Sequence, residues 1–311
     1  MIHRFLHFSD THQDTNGESS ILSMLSTIKS DESIIPLCTG DMALYKIQDG
    51  HNASICSKCL YVIGNHDRGN HASGTPITVA SSREVNKTYF SDTYVTKNAS
   101  MGNVPNPTYW SFQKDDVRII GLDCTLTDAT EINNEKTWLS NQFSDARNKK
   151  QKVITMSHII ARGKQHKRST FTNVYYLEQL GFYAYGGDIA ATYFATCINP
   201  LDSIIKANKD IVAFCIYGHE HSDLYFDSNG YPEIVLGDTW TGDILVYNNV
   251  ARATNTNAKD IFVMNEYIYD SASNYLEIYR IGADRCVDGT RRKMMCIDLS
   301  ANAIVSDWSS V

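Results

Sequence analysis

Proline is scarce in this chain, with 6 in 311 residues, and no polar low-complexity tract interrupts it. Neither a proline-rich linker nor a disordered segment is therefore expected. There is no run of about 18 apolar residues, which excludes a transmembrane helix. No apolar segment with a small-residue cleavage site precedes Asp10, so no signal peptide is read and a cytoplasmic chain without a membrane partner is expected. Basic residues are in deficit, 28 Lys and Arg against 35 Asp and Glu, for a net charge of −7. The surface as a whole should not attract DNA or anionic lipid. Eight cysteines are too dilute for a disulfide scaffold in a chain of this length. Cys38, Cys124, Cys197 and Cys215 lie in or beside apolar runs and read as small buried hydrophobes. Cys56-Ser-Lys-Cys59 is a lone C-x-x-C, with no second pair to complete a zinc site. Structural thiols in a reducing compartment are the expectation.

What is present is an ordinary globular composition, 42% hydrophobic and 20% charged, long enough to bury a full core. Residues 2–8 read as a strand, and Ile21, Leu25 and Ile28 recur at helical spacing over 19–30. Apolar runs at 34–38 and 60–63 read as the next strands. Between 69 and 110 the pattern weakens to loops with edge elements. Strand character returns at 117–122, 153–156 and 211–217. Leu139, Phe143 and Ala146 predict a helix over 132–147. From about 231 onward the chain is β-rich, with runs at 261–264 and 275–279 and a hairpin turn at 271–274. The alternation predicts an α/β fold of two stacked mixed β-sheets flanked by helices.

Five separated segments carry the chemistry: Asp10-Thr11-His12, Gly40-Asp41, Gly64-Asn65-His66-Asp67, Ser157-His158 and Gly218-His219-Glu220-His221. Each follows an apolar run, so each falls where a strand gives way to its loop. Carboxylate and amide oxygens mixed with imidazoles suit borderline divalent metals. Singly, most of these segments have a plain structural reading as a turn, a helix cap or an exposed polar loop. All five in this order, each behind a strand, are hard to attribute to chance.

The order D-x-H, G-D, G-N-H-D, H, G-H-x-H closely resembles the calcineurin-like metallophosphoesterase superfamily, over roughly residues 1–245. The resemblance implies a four-layer sandwich over 1–250, with 159–210 as a substrate-side insertion and 251–311 as a β-rich C-terminal extension packed on the same domain. It implies two divalent metal ions per chain, with manganese, iron, zinc and nickel not separated by this donor set. On the resemblance, Asp10, His12 and His221 hold the first metal, Asn65, His158 and His219 hold the second, and Asp41 bridges them. His66 is the general acid or transition-state stabiliser, oriented by Asp67. The implied activity is hydrolysis of a phosphate ester through a metal-bridging hydroxide, with diesters slightly ahead of monoesters. Glu220 should point away from the metals, and Asp123 resembles a loop-bracing position.

Substrate choice is less legible. Residues 161–168 carry five Arg, Lys or His in an otherwise acidic protein, which reads either as a solvated loop or as a rim attracting a nucleotide or nucleic acid. The aromatic-rich stretch 171–196 reads as packing of an insertion, or as a wall that stacks on a nucleobase. Arg68 reads either as a phosphoryl contact or as a surface ion pair. An alternative class also stands: a structural component of a larger assembly, such as a phage virion, docked through the C-terminal region.

Overall fold

The structure, a computed structural model, describes residues 1–11, 33–42, 57–64, 67, 94–105, 107–126, 128–160, 174–176, 187–219, 224–227, 229–236, 264–281 and 292–307. Within these, residues 174–176, 187–196, 224, 292 and 307 are described by backbone alone. The chain opens with strands β1 (Ile2–Phe8), β2 (Ile34–Cys38) and β3 (Leu60–Tyr61), followed by helix α1 (Tyr94–Asn98). Next come β4 (Ser100–Met101), β5 (Trp110–Lys114), β6 (Val117–Gly121), helix α2 (Ala129–Asn148), β7 (Lys152–Met156) and β8 (Val174–Tyr176). Helix α3 (Gly187–Ala207) leads to β9 (Val212–Tyr217), β10 (Leu224–Phe226) and β11 (Glu233–Val235). The chain closes with β12 (Met264–Asp270), β13 (Tyr275–Ile281), β14 (Arg292–Asp298) and β15 (Ala303–Asp307).

These strands form two mixed sheets, ordered β15-β14-β13-β12-β1-β2-β3 and β4-β5-β6-β7-β9-β11-β10-β8. In the first, β1, β2 and β3 run parallel. The second has a parallel centre, β6-β7-β9-β11, with antiparallel pairs at both flanks. Strand β12 pairs antiparallel with β1 from Ile2↔Asp270 to His7↔Asn265. Strands β12 to β15 thus extend the first sheet. The hairpin turn at 271–274 joins β12 to β13, with Asn274 left-handed at φ 60°.

Side-chain alternation explains the layering. On β6, β7 and β9, Val117, Ile119, Ile154, Met156, Phe214 and Ile216 face the first sheet and share one core with Phe5, Leu37, Leu60 and Tyr267. Phe214 meets Phe5, Tyr267 and Tyr269 at ring-centroid distances of 6.4, 5.6 and 6.1 Å. The intervening residues Ile120, Val153, Cys215 and Tyr217 face outward onto α2 and α3, where Trp138, Leu139, Phe143, Leu201 and Ile205 cover them. Helix α2 is capped by Asp128, whose carboxylate accepts from the N–H groups of Thr130 and Glu131 at 2.9 and 3.0 Å.

Three details differ from the sequence reading. Helix α2 is a few residues longer than 132–147. Strand β3 keeps only two paired residues, although the Val62 N–H still reaches the Cys38 carbonyl at 3.1 Å. Helix α3 has no counterpart in the sequence reading, which takes 159–210 as an insertion; Pro200 lies inside the helix, where proline is ordinarily disfavoured. The helix expected over 19–30 lies outside the described residues, as do 161–168. The six described cysteines are all buried, and no disulfide joins them. Among the described residues, no helix is long and apolar enough to cross a membrane.

Candidate metal centre

The two sheets bring the carboxyl ends of their parallel strands to one place. From the first sheet, β1 delivers Asp10 and β2 delivers Asp41; from the second, β7 delivers His158 and β9 delivers His219. Backbone bonds stitch these loops together: the Asp10 N–H donates to the Gly40 carbonyl and the Gly218 N–H to the His158 carbonyl, each at 3.0 Å. The Thr11 hydroxyl reaches the Met42 carbonyl at 3.1 Å. This is where layered α/β folds place their reacting groups.

At the centre, Asp41, His158 and His219 each offer one ligand atom, all within 4.8 Å of one another and all buried. His158 Nε2 stands 3.1 Å from Asp41 Oδ2, and the two imidazole rings lie edge to face at 5.0 Å. Asp10 adjoins them, its Oδ2 accepting from the His219 N–H at 2.9 Å and from the Ser9 hydroxyl. His158 Nδ1 lies 2.7 Å from the Thr39 carbonyl. A carbonyl can only accept, so Nδ1 carries the hydrogen and Nε2 is the atom turned to Asp41. Such an outer-sphere bond is what fixes the tautomer of a metal-binding imidazole. Burial opposes protonation of this ring, but the carboxylates of Asp41, Asp10 and Asp67 outweigh it and push the His158 pKa up to about 9. Surplus negative potential among these buried groups suits a cation. A carboxylate and two imidazoles converging there fit a borderline divalent metal.

The backbone is strained to make this convergence. Among the described residues, seven that are not glycine are left-handed, and Asp115, Lys150, Asn274 and Asn302 of these sit in turns. The other three are Asp10 (φ 50°), Asp41 (φ 51°) and His219 (φ 70°), all at the site. Strain of this kind persists where surrounding structure over-determines it. Two glycines make room. A Cβ on Gly64 would fall 2.1 Å from Asp41 Oδ1, and one on Gly218 would fall 2.0 Å from Ser9 Oγ and 2.5 Å from Asp10 Oδ2.

Asp67 is fully buried and accepts three backbone hydrogen bonds. Its Oδ2 takes the N–H groups of Asp41 and Gly64 at 2.9 and 2.8 Å, and its Oδ1 takes that of Met42 at 2.9 Å. It therefore fastens the β2 loop to the β3 loop. Asp123 sits outside the metal cluster and braces its own loop, accepting from the backbone N–H and the hydroxyl of Thr125 and from the Thr108 hydroxyl. Of the residues expected from sequence, Asp10, Asp41, Asp67, His158 and His219 are brought together. His12, Asn65, His66, His221, Arg68 and Glu220 lie outside the described residues. Sequence reasoning missed Ser9, Thr39 and the buried Glu135, whose carboxylate accepts the Asp123 N–H at 2.8 Å. Only the alternation of β1 and β2, which turns particular polar residues inward, could have flagged the first two.

The sequence model of the calcineurin-like phosphoesterases matches residues 3–223. A search of the curated proteins found no match. Among solved structures, the fold resembles a dimetal phosphatase from Danio rerio (TM-score 0.55, 11% identity, covering 89% of this chain and 95% of that one). It also resembles a purple acid phosphatase from yellow lupin (Lupinus luteus) seeds (TM-score 0.53, 14% identity, covering 94% and 53%). A third likeness is to GAP50, the anchor in the inner membrane complex of Plasmodium (TM-score 0.50, 13% identity, covering 94% and 88%). At such identities these likenesses speak to the fold, while the match over 3–223 speaks to the family. The chain belongs to the calcineurin-like phosphoesterases and is a metal-dependent phosphoester hydrolase.

Proposed function

We propose that this chain is a dinuclear phosphoesterase whose substrates are phosphate esters, diesters ahead of monoesters. The observation that carries the reading is the buried convergence of Asp41, His158 and His219 at the ends of parallel strands from both sheets. In this reading Asp41 would be shared by two divalent ions, with Asp10, His12 and His221 completing one site and Asn65, His158 and His219 the other. When bound, such ions would supply Lewis acidity at the phosphoryl oxygens and an activated water. His158 offers Nε2 because Thr39 holds its Nδ1–H. Asp10 keeps one carboxylate oxygen on the His219 N–H, which ties the β1 loop to the β9 loop. His66 would protonate the departing alkoxide, with Asp67, its neighbour in sequence, as its orienter. The preference for diesters, and for nucleotides or nucleic acid among them, rests on the basic run 161–168, which would favour a polyanion at the rim.

The test is metal analysis of the purified chain, together with hydrolysis of paired monoester and diester reporters by wild type and His66→Ala. The expected result is about two ions per chain, faster turnover of the diester, and a rate loss of about 10²–10⁴ in the variant. No bound metal, or equal rates for the two proteins, would overturn the enzyme reading and leave the chain as a non-catalytic bearer of the fold.

A further inference from the structure

The centre is supported from a strand that the family match does not reach. That match ends at residue 223, yet Tyr267 on β12 meets the centre through His7. His7 is fully buried on β1, with Nδ1 2.8 Å from the Tyr267 hydroxyl and Nε2 2.8 Å from the Thr39 hydroxyl. Tyr267 and Thr39 are also fully buried. Thr39 is held on three sides: its N–H donates to the Phe8 carbonyl at 3.2 Å, its hydroxyl meets His7, and its carbonyl accepts from His158 Nδ1. Asn265, beside His7 in the β1–β12 register, donates to the Tyr267 oxygen at 3.5 Å. The two ring nitrogens of His7 thus join the Tyr267 hydroxyl to the Thr39 hydroxyl.

We propose that Tyr267 and His7 are positioning residues for the metal centre, setting the Thr39 carbonyl that fixes the His158 tautomer and the approach to Asp41. The inference rests on the metal-site reading above. The C-terminal strands would then belong to the catalytic unit, because β12 supplies the far end of an outer-sphere chain to a metal ligand. Outer-sphere partners of this kind typically change metal affinity by about 10–100-fold. The chain acts through His158 and touches no substrate, so its loss is read first in metal binding.

The experiment titrates Mn²⁺ into full-length wild type, Tyr267→Phe, Thr39→Val and the double variant, by calorimetry, with the melting temperature recorded for each. Thr39→Val keeps the backbone carbonyl while removing the hydroxyl. Tyr269→Phe is the control, since it deletes an equally buried ring's hydroxyl on the same strand, one that meets Asn274 at 3.2 Å and not the centre. The expected result is Mn²⁺ affinity about tenfold weaker in Tyr267→Phe and Thr39→Val, unchanged in Tyr269→Phe, and no weaker in the double variant than in Thr39→Val. Sub-additivity of that kind marks residues acting in one chain. Wild-type affinity in Tyr267→Phe, equal losses in Tyr269→Phe, or fully additive losses would overturn the relay while leaving the metal site standing. A wild-type chain that binds no Mn²⁺ would overturn the metal site itself, and the relay with it.

Discussion

Replacing Asp67 tests how the site loops are held. Its two carboxylate oxygens accept three backbone N–H groups, two on Oδ2 and one on Oδ1. In Asp67→Asn the amide oxygen can serve the pair from Asp41 and Gly64, but the amide nitrogen then meets the Met42 N–H, donor against donor. One bond to a charged acceptor is lost, at about 1.5–3 kcal/mol, with a buried donor left unsatisfied. The expected destabilisation is about 2–3 kcal/mol. Asp67→Ala strips all three bonds, and about 5 kcal/mol is expected, comparable with the whole stability of a marginal domain. Urea unfolding at pH 7 with a chelator present measures both, because removing metal takes ligand linkage out of the comparison. If Asp67→Asn lies within about 0.5 kcal/mol of wild type, the carboxylate is no fastener and the reasoning from these three bonds is wrong.

Other expectations follow from single contacts. Gly218→Ala drives a Cβ against Ser9 Oγ and Asp10 Oδ2, so ligand displacement of about an ångström should cost roughly 10²-fold in turnover, measured with the reporter esters. Adding a divalent metal at about a hundred times its dissociation constant should raise stability by about 2.7 kcal/mol per site, read as a shift of the urea midpoint that a chelator reverses. The fully buried Arg118 donates to Gln142, Gln151 and Asp145. Its hydrogen bond holds the Asp145 carboxyl below the usual 3.8, with Lys149 assisting. A depressed folded pKa stabilises above the unfolded value and loses that contribution as pH falls through the folded one. Asp145→Asn should therefore cost stability at pH 7, with the gap to wild type closing below about pH 4 in acid-unfolding curves.

The strands that build the centre were legible because each is a short apolar run ending at a polar motif. β1, β2, β7 and β9 carry their site residues two or three positions past the last paired residue, so each motif begins where its strand ends. Helix α2 was legible from Leu139, Phe143 and Ala146 at helical spacing. Helix α3 shows the limit. Cys197, Leu201 and Ile205 also recur at helical spacing and are buried, yet Pro200 sits among them as a local signal against a helix. In the fold, packing on α2 and the second sheet overrides the breaker. Tertiary bonds were less legible still. Nothing near Asp67 in sequence says that its carboxylate reaches back to Asp41 and Met42. The left-handed backbone at Asp10, Asp41 and His219 is likewise a product of loops meeting, not of local sequence. Asp67 was expected as the orienter of His66, and its described contacts add a task the motif did not suggest.

In the proposed site Asp41 would stand between two metal ions. Anomalous diffraction at the manganese edge, from crystals of the full chain grown with Mn²⁺, addresses it directly. Two peaks about 3.5–4 Å apart are expected, both in contact with Asp41 and one of them bonded to His158 Nε2. A single peak, no peak beside Asp41, or a pair that Asp41 does not touch would contradict it.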